Sequence, residues 1–141
     1  MFHKVFVVGH LGRDPEMRYT PSGAAVTNFS LATTRRYNTA NGEPVEETIW
    51  FRISVFGKQA ESCNTYLKKG RLVLVEGRLR PDPKTGGPRI YEKNDGTFGS
   101  SFEVTADTVR FLGGGRGEEA APEGGEGIPF DADEGSEQIP F

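Results

Sequence analysis

Cysteine and long apolar runs are scarce in this 141-residue sequence. The single cysteine, Cys63, excludes a disulfide within the chain and fits a reducing compartment. No apolar stretch approaches the roughly 20 residues that a membrane-spanning helix needs, and the first residues lack the apolar segment of a signal peptide. We therefore expect a cytoplasmic protein in which Cys63 is a small buried residue of the core.

Recognisable catalytic and metal-binding patterns are also missing. His3 and His10 have no cysteine pair or acidic cluster beside them, so no metal site is expected. The segment Gly12-Arg13-Asp14-Pro15 lacks the Gly-Lys-Ser/Thr ending of a phosphate-binding loop. No Ser/His/Asp or Cys/His set can be assembled. The sequence predicts no catalytic residue, no metal and no cofactor, and therefore a protein that is not an enzyme.

Charge is distributed unevenly along the chain. Residues 1–112 contain 16 Lys/Arg against 12 Asp/Glu, a balance of +4, whereas residues 113–141 contain one Arg against 8 Asp/Glu, a balance of −7. A basic body with an acidic tail favours a polyanionic partner for the body and a separate role for the tail.

The segment from Thr48 to Gly57 is rich in β-branched and aromatic residues and is predicted to be a strand. Alternation puts Ile49, Phe51, Ile53 and Val55 on one apolar face, predicted to be a core face. The other face carries Trp50, Arg52, Ser54 and Phe56. Aromatic rings on a sheet can stack on bases while the cations between them contact phosphates. The alternative is that Trp50 and Phe56 are buried under a loop, a second sheet or a partner subunit.

The remaining pattern predicts an all-β protein. Strands are expected over 3–11, 25–37, 45–56, 71–80 and 102–112, with a short paired segment at 16–20 and an exposed hairpin arm over 81–101. The only convincing helix runs from Lys58 to Leu67, where Ala60, Cys63 and Leu67 share a face. Five strands with a helix between the third and fourth favour a five-stranded OB-fold barrel over the second choice, a small β-sandwich. An α/β nucleotide-binding fold is disfavoured, because one helix cannot cover a parallel sheet.

Residues 113–141 are dominated by Gly, Glu, Ala and Pro and are predicted to be a disordered acidic tail. The tail contains Ile128-Pro129-Phe130 and, at its tip, Ile139-Pro140-Phe141. A repeated Ile-Pro-Phe in a polar segment predicts a recognition motif, most strongly for the copy at the tip. The domain division is therefore 1–112 for the barrel and 113–141 for the tail.

Several motifs together resemble the bacterial single-stranded DNA-binding protein family. They are Lys4-Val5-Phe6-Val7-Val8-Gly9-His10-Leu11-Gly12-Arg13-Asp14-Pro15, Arg18-Tyr19, Asn28-Phe29-Ser30-Leu31-Ala32-Thr33, Trp50-Phe51-Arg52, Val55-Phe56-Gly57-Lys58, Tyr66-Leu67-Lys68-Lys69-Gly70 and Val75-Glu76-Gly77-Arg78-Leu79. The match spans residues 2–112, and the terminal Ile-Pro-Phe resembles the family's tail tip.

The resemblance implies an OB-fold that forms a homotetramer, around which single-stranded DNA wraps without marked sequence preference. It implies base stacking on Trp50, Phe56, Tyr37 and Tyr91. It implies phosphate contacts by Arg52, Lys58, Lys69, Arg80 and Lys4. It also implies that Ile139, Pro140 and Phe141 recruit replication, recombination and repair proteins in the bacterial cytoplasm, at the nucleoid.

The basic residues around the aromatic face extend this list of phosphate contacts. The candidates are Arg35, Arg36, Arg52, Lys58, Arg78, Arg80, Arg89 and Lys93. Two other functions remain open at this point. One is an RNA-binding OB module, which needs contacts suited to the 2′-hydroxyl. The other is a structural adaptor whose aromatic face is a protein interface, and which would show no salt-dependent binding of oligonucleotides.

Overall fold

The computed structural model describes residues 1–113, which form seven strands and one helix. The elements are β1 (Val5–Leu11), β2 (Glu16–Tyr19), β3 (Ala25–Asn38), β4 (Pro44–Phe56), α1 (Lys58–Tyr66), β5 (Leu72–Leu79), β6 (Arg89–Glu92) and β7 (Phe98–Leu112). The predicted strands and the predicted helix are all present, with bounds that differ by one or a few residues. Residues 114–141, including both Ile-Pro-Phe copies, lie outside the described residues.

The sheet closes on itself. Its strands follow the order β1-β5-β7-β4-β3, and β1 then pairs with β3 through His10 with Ala32 and Leu11 with Leu31. The pair of β4 and β7 is parallel, and the other pairs are antiparallel. Short β2 adds to the edge of β3, and β6 pairs with β7 to form the arm. A closed five-stranded barrel with a helix between its third and fourth strands is an OB-fold, so the predicted fold class is confirmed.

The core lies inside the barrel, and the helix closes one end of it. Alternate residues of the strands point inward, among them Leu31, Ile53, Val73 and Val75, none of them accessible to solvent. Ala60, Cys63 and Leu67 pack against this cluster from α1 and from the residue that ends it. Burial raises the pKa of the Cys63 thiol to about 11. Cys63 is therefore a core residue, as predicted.

The prediction of a uniform core face on β4 is wrong at one end. Ile53 and Val55 are fully buried, but Ile49 is 42% exposed and Phe51 is only partly buried. The cause is the length of β3 and β4, whose paired segments continue beyond the barrel as a hairpin to Asn38 and Pro44. Within residues 1–113, the inner face at Ile49 is therefore left partly uncovered.

Glycine at position 77 permits a close approach between two barrel strands. A Cβ atom there would lie 2.2 Å from the carbonyl oxygen of Thr105, so no other residue fits without backbone movement. The register of β5 against β7 shifts between Glu76 and Gly77, as at a β-bulge. Gly9 approaches the Ala32 carbonyl oxygen equally closely, next to the point where β1 changes partner from β5 to β3.

Candidate nucleic-acid interface

The outer face of β3 and β4 carries an ordered set of side chains. Cross-strand register sets Ala32 beside Trp50, Ser30 beside Arg52, Asn28 beside Ser54 and Val26 beside Phe56. The residues of β3 are small or short, so the larger side chains of β4 rise above them. Trp50 is half-buried and Phe56 is 45% exposed. Two aromatic rings, six residues apart on one strand, are thus separated by roughly 20 Å and have a guanidinium between them.

The Trp50 ring lies against the loop that follows β1. A Cβ atom at Gly12 would lie 2.4 Å from the indole ring and 3.0 Å from the Ser30 hydroxyl. Gly12 is held in this position by its N–H, which donates to the Ser30 carbonyl at 3.0 Å. One part of the ring therefore packs on backbone, while the remainder faces outward.

A groove of about 380 Å³ runs beside Phe56. Four arginines line it, and they come from four different parts of the chain: Arg18, Arg52, Arg80 and Arg89. Phe56 and Tyr19 provide aromatic surface, and Tyr19 is 63% exposed. Guanidinium groups in this number bind phosphates well, because their planar donors match phosphate oxygens.

A buried carboxylate lies among these cations. Glu103 of β7 is 8% exposed, and the register of the parallel pair puts it next to Arg52. Its Oε2 accepts the Ser101 hydroxyl at 2.9 Å and lies 3.7 Å from Arg89 Nη1. The Arg80 N–H donates to the Glu103 carbonyl at 2.8 Å. Glu103 thus balances part of the positive charge and holds Arg89 toward the groove.

A second, smaller cavity of about 150 Å³ adjoins the groove on the side of the loop after β1. Its lining shares Arg18, Asn28 and Arg52 with the groove and adds Arg13, Asp14, Glu16, Phe29 and Ser30. The two cavities form one basic surface across β2, β3 and β4, which we call the arginine groove.

The hairpin of β3 and β4 holds three predicted contacts that do not line the arginine groove. Arg36 Nε lies 2.5 Å from Glu46, and Arg35 lies 3.5 Å from Glu47. The Tyr37 hydroxyl donates to Glu47 at 3.1 Å, with the Arg35 guanidinium 4.5 Å from the centre of the Tyr37 ring. The hydrogen bond to Glu47 raises the pKa of Tyr37. Each of these three side chains is therefore already paired with a glutamate.

Lys4 and Arg78 lie outside the groove as well. Lys4 forms ion pairs with Asp107 at 2.5 Å and with Glu76 at 3.2 Å. These hydrogen bonds raise the pKa of Lys4, and the bond from Lys4 lowers the pKa of Asp107. Arg78 lies 3.9 Å from the same aspartate.

Three predicted lysines occupy loops and element ends around the barrel. Lys58 is the exposed first residue of α1, two positions after Phe56. Lys69 lies in the loop after α1, where its backbone N–H donates to Asp14 at 2.8 Å. Lys93 follows β6 in the arm.

The arm presents Tyr91 on the face that also carries Arg89. The tyrosine ring lies over Gly99 of the paired strand, where a Cβ atom would meet it at 2.9 Å. The opposite face of the arm carries Ile90 and Phe98, which are 61% and 70% exposed. Glycine on the partner strand makes room for the Tyr91 ring.

Several groove residues were not among the predicted site residues. They are Arg13, Arg18, Tyr19, Asn28, Ser30, Ser54 and Glu103. Arg18 and Tyr19 are a basic residue next to an aromatic one, a pattern that can indicate nucleic-acid binding. Their position at the groove, however, depends on the pairing of β2 with β3. The polar residues Asn28, Ser30 and Ser54 carry no such signal in the sequence.

Within residues 1–113, no three His, Cys, Asp or Glu side chains converge as metal ligands would. The one helix of this part of the chain has nine residues, too few to cross a membrane.

Comparison with known proteins gives a consistent result. The model of the single-strand binding protein family matches residues 2–112. Single-stranded DNA-binding proteins from two Neisseria meningitidis strains are 44% identical over 112 residues, covering 79% of this chain and 60% of theirs. The chain thus spans less than two thirds of the length of these relatives. The Aquifex aeolicus single-stranded DNA-binding protein is 40% identical over 129 residues, covering 92% of this chain and 82% of its own.

Two solved structures share the fold. A deletion variant of the single-stranded DNA binding protein from Thermus aquaticus aligns with a TM-score of 0.62 and 35% identity, covering 81% of this chain and 51% of that one. Plasmodium falciparum SSB, solved in a complex with ssDNA, aligns with a TM-score of 0.65 and 27% identity, covering 79% and 96%. By its sequence motifs, its barrel and these matches, the chain belongs to the single-strand binding protein family.

Proposed function

We propose that this protein binds single-stranded DNA along the arginine groove and is not an enzyme. The observation that carries the proposal is the face of β4, where Trp50 and Phe56 flank Arg52. Arg52 and Phe56 also line a groove with three further arginines. Bases stack on the two rings, and phosphates bind the guanidinium groups between them. Stacking accepts every base, since each has a π face, so sequence preference is weak.

The other predicted residues extend the path of the strand beyond the groove. Tyr91 and Lys93 continue it along the arm. Tyr37, Arg35 and Arg36 continue it along the β3–β4 hairpin, where DNA must first displace the glutamates paired with them. Because exposed ion pairs contribute only about 0–1 kcal/mol, this displacement costs little. Lys58, Lys69, Arg78 and Lys4 contribute through their charge at the margins of the path.

Titration with oligo(dT) tests this function, with the fluorescence of Trp50, the only tryptophan, as the signal. We expect quenching on binding and an affinity that falls steeply as salt rises. A duplex of the same length, in which the bases are already stacked, is the control and should bind far more weakly. No quenching at low salt would favour the adaptor function, and equal affinity for rU and dT oligomers would favour the RNA-binding module.

A homotetramer is part of the proposal. Phe6 and Val8 of β1 point away from the barrel and are 65% and 51% exposed. Val8 lies beside Leu74 in the register of β1 with β5, so the apolar surface crosses two strands. An apolar face of this kind is typical of subunit contacts. Light scattering should give four times the chain mass. Val8→Glu should reduce it, whereas Ile90→Glu, at an equally exposed apolar residue in the arm, should not.

We also propose that the acidic tail recruits replication, recombination and repair proteins through Ile139, Pro140 and Phe141. The support is the repeated Ile-Pro-Phe in a segment that otherwise lacks large apolar side chains. Upstream acidic residues would steer the tail toward a basic partner surface. Deleting Phe141 should abolish retention of such enzymes from a nuclease-treated bacterial extract and leave the affinity for oligo(dT) nearly unchanged. Retention should survive Phe130→Ala, and full retention after the deletion would show that the internal copy suffices.

A further inference from the structure

The hydroxyl of Ser30 is buried in the smaller cavity of the arginine groove. Ser30 is 4% exposed, and within residues 1–113 its Oγ has no hydrogen-bond partner. An unsatisfied buried hydroxyl destabilises a fold. Ser30 lines the cavity of about 150 Å³ and lies on the outer face of the sheet rather than in the core. The Ser30 hydroxyl is therefore placed to form a hydrogen bond with a ligand in this cavity.

The groups around this hydroxyl are mainly donors. Asn28 Oδ1 accepts the Ser54 hydroxyl at 2.7 Å, which leaves the amide NH₂ of Asn28 for a ligand. Guanidinium groups of Arg13, Arg18 and Arg52 line the same cavity. Of the two acidic residues, Asp14 already accepts the Lys69 N–H at 2.8 Å, and the exposed Glu16 lies 4.0 Å from Arg18. Hydroxyl, amide and guanidinium donors around a small cavity match a phosphate group.

We infer that this cavity binds a single backbone phosphate of the DNA strand, with Ser30 and Asn28 as its neutral donors. The cavity adjoins Trp50, because Gly12 lies against both the indole ring and the Ser30 hydroxyl. The phosphate of the nucleotide that stacks on Trp50, or of its neighbour, is thereby within reach. The site sets the position of one nucleotide relative to the ring, whereas arginines alone would hold the strand in many positions. This inference rests on the proposed function.

The variant Ser30→Ala separates binding from stability. Removing a hydroxyl that has no partner among residues 1–113 relieves a desolvation penalty, so the melting temperature of the free protein should rise by about 4 °C. The same change removes one charge-assisted hydrogen bond to the phosphate, so the affinity for oligo(dT) should fall about 10- to 150-fold. The number of cations is unchanged, so the slope of log affinity against log salt should stay the same. Ser100→Ala, on the arm and outside the cavity, should change neither quantity.

The variant Asn28→Asp is the second test. It keeps the shape of the side chain and the acceptor for Ser54, but it replaces a donor with an anion in the cavity. Affinity should fall at least as far as in Ser30→Ala. Thermal unfolding of Asn28→Asp should be measured alongside, to show that the variant is folded. If it is not folded, Ser30→Ala alone decides the test.

Neutral DNA shows which part of the nucleotide the cavity contacts. An oligo(dT) with methylphosphonate linkages keeps its bases but carries no backbone charge, and competition against a labelled oligomer at low salt reports its affinity. The loss caused by Ser30→Ala should be smaller with this ligand, because its phosphoryl oxygen still accepts a hydrogen bond but no longer carries a charge. An equal loss with both ligands would show contact with a base or sugar and overturn the inference. Unchanged oligo(dT) affinity in Ser30→Ala, or a fall in both affinity and melting temperature, would overturn it too. Failure of the wild-type protein to bind oligo(dT) would instead reject the proposed function itself.

Discussion

Replacing Trp50 with alanine tests the central contact of the proposed interface. The ring is half-buried, and the part that packs on Gly12 is not available for stacking, so it offers its outward surface to one base. The cross-strand neighbour on the same face, Ala32, has no ring that could take over this role. The inward-facing Ile53 of the same strand is fully buried and unaffected. The fold should therefore survive the substitution.

The expected loss follows from the free energy of base stacking. One base stacked on an aromatic side chain contributes about 1–3 kcal/mol, and 1.4 kcal/mol corresponds to a factor of ten. Trp50→Ala should therefore weaken oligo(dT) binding about 5- to 150-fold. Since the variant lacks the intrinsic fluorophore, the assay is fluorescence anisotropy of an end-labelled oligo(dT), with circular dichroism as a check on folding.

The matched control is Ile49→Ala. Ile49 is the preceding residue of the same strand, is 42% exposed, and lies on the opposite face. Loss of its side chain should leave DNA affinity within about twofold, because it does not reach the groove. Equal affinity of Trp50→Ala and the wild type would refute the stacking argument. An equal loss of affinity in Ile49→Ala would show that the DNA does not bind specifically to the face of β4 that carries Trp50.

Three further predictions concern charge, the core and the barrel. Arg52→Gln should make the slope of log affinity for oligo(dT) against log salt less steep by about 0.7. Arg36→Gln should change this slope less, because Arg36 is already paired with Glu46 at 2.5 Å. A larger change of the slope for Arg36→Gln would contradict this. With a pKa raised to about 11, Cys63 should react with a thiol reagent at pH 8 only as fast as the protein unfolds, so rapid stoichiometric labelling of the native protein would be inconsistent with its burial. Gly77→Ala should lower the free energy of unfolding in urea by about 2 kcal/mol or more. Gly87→Ala should be tolerated, because the atom nearest to a Cβ there lies at 3.6 Å. Equal stabilities of the two variants would show that β5 and β7 can move apart at Gly77 at no cost.

Much of the fold could be predicted from local pattern. Alternation of apolar residues located the strands, the face shared by Ala60 and Cys63 located the helix, and the helix between the third and fourth main strands indicated the barrel. The limit of this approach is visible at Ile49, which has the pattern of a core residue and is exposed. Alternation tells which face a residue is on but not where along the strand the covering layer ends.

Part of the candidate site was predictable as well, because alternation along one strand shows which residues share a face. Trp50, Arg52 and Phe56 follow one another on one strand, so their common face is a property of the sequence and of strand geometry alone. Tyr37 and Arg36 look equally suitable in the sequence, yet each is paired with a glutamate across the hairpin. Such pairing depends on the register of two strands, which the sequence does not display directly.

The basic body, the acidic tail, the aromatic strand and the family are all visible in the order of the amino acids. The distribution of the cations around the barrel depends instead on how the strands pair. Arg18, Arg80 and Arg89 are far apart in the chain and line one groove because the closed sheet brings β2, the end of β5 and the arm to one side of β4. The role of Ser30 was likewise invisible, since a serine in a strand has no distinctive pattern. Whether its hydroxyl has a partner depends on atoms from other strands and loops, and barrel closure alone brings those atoms together.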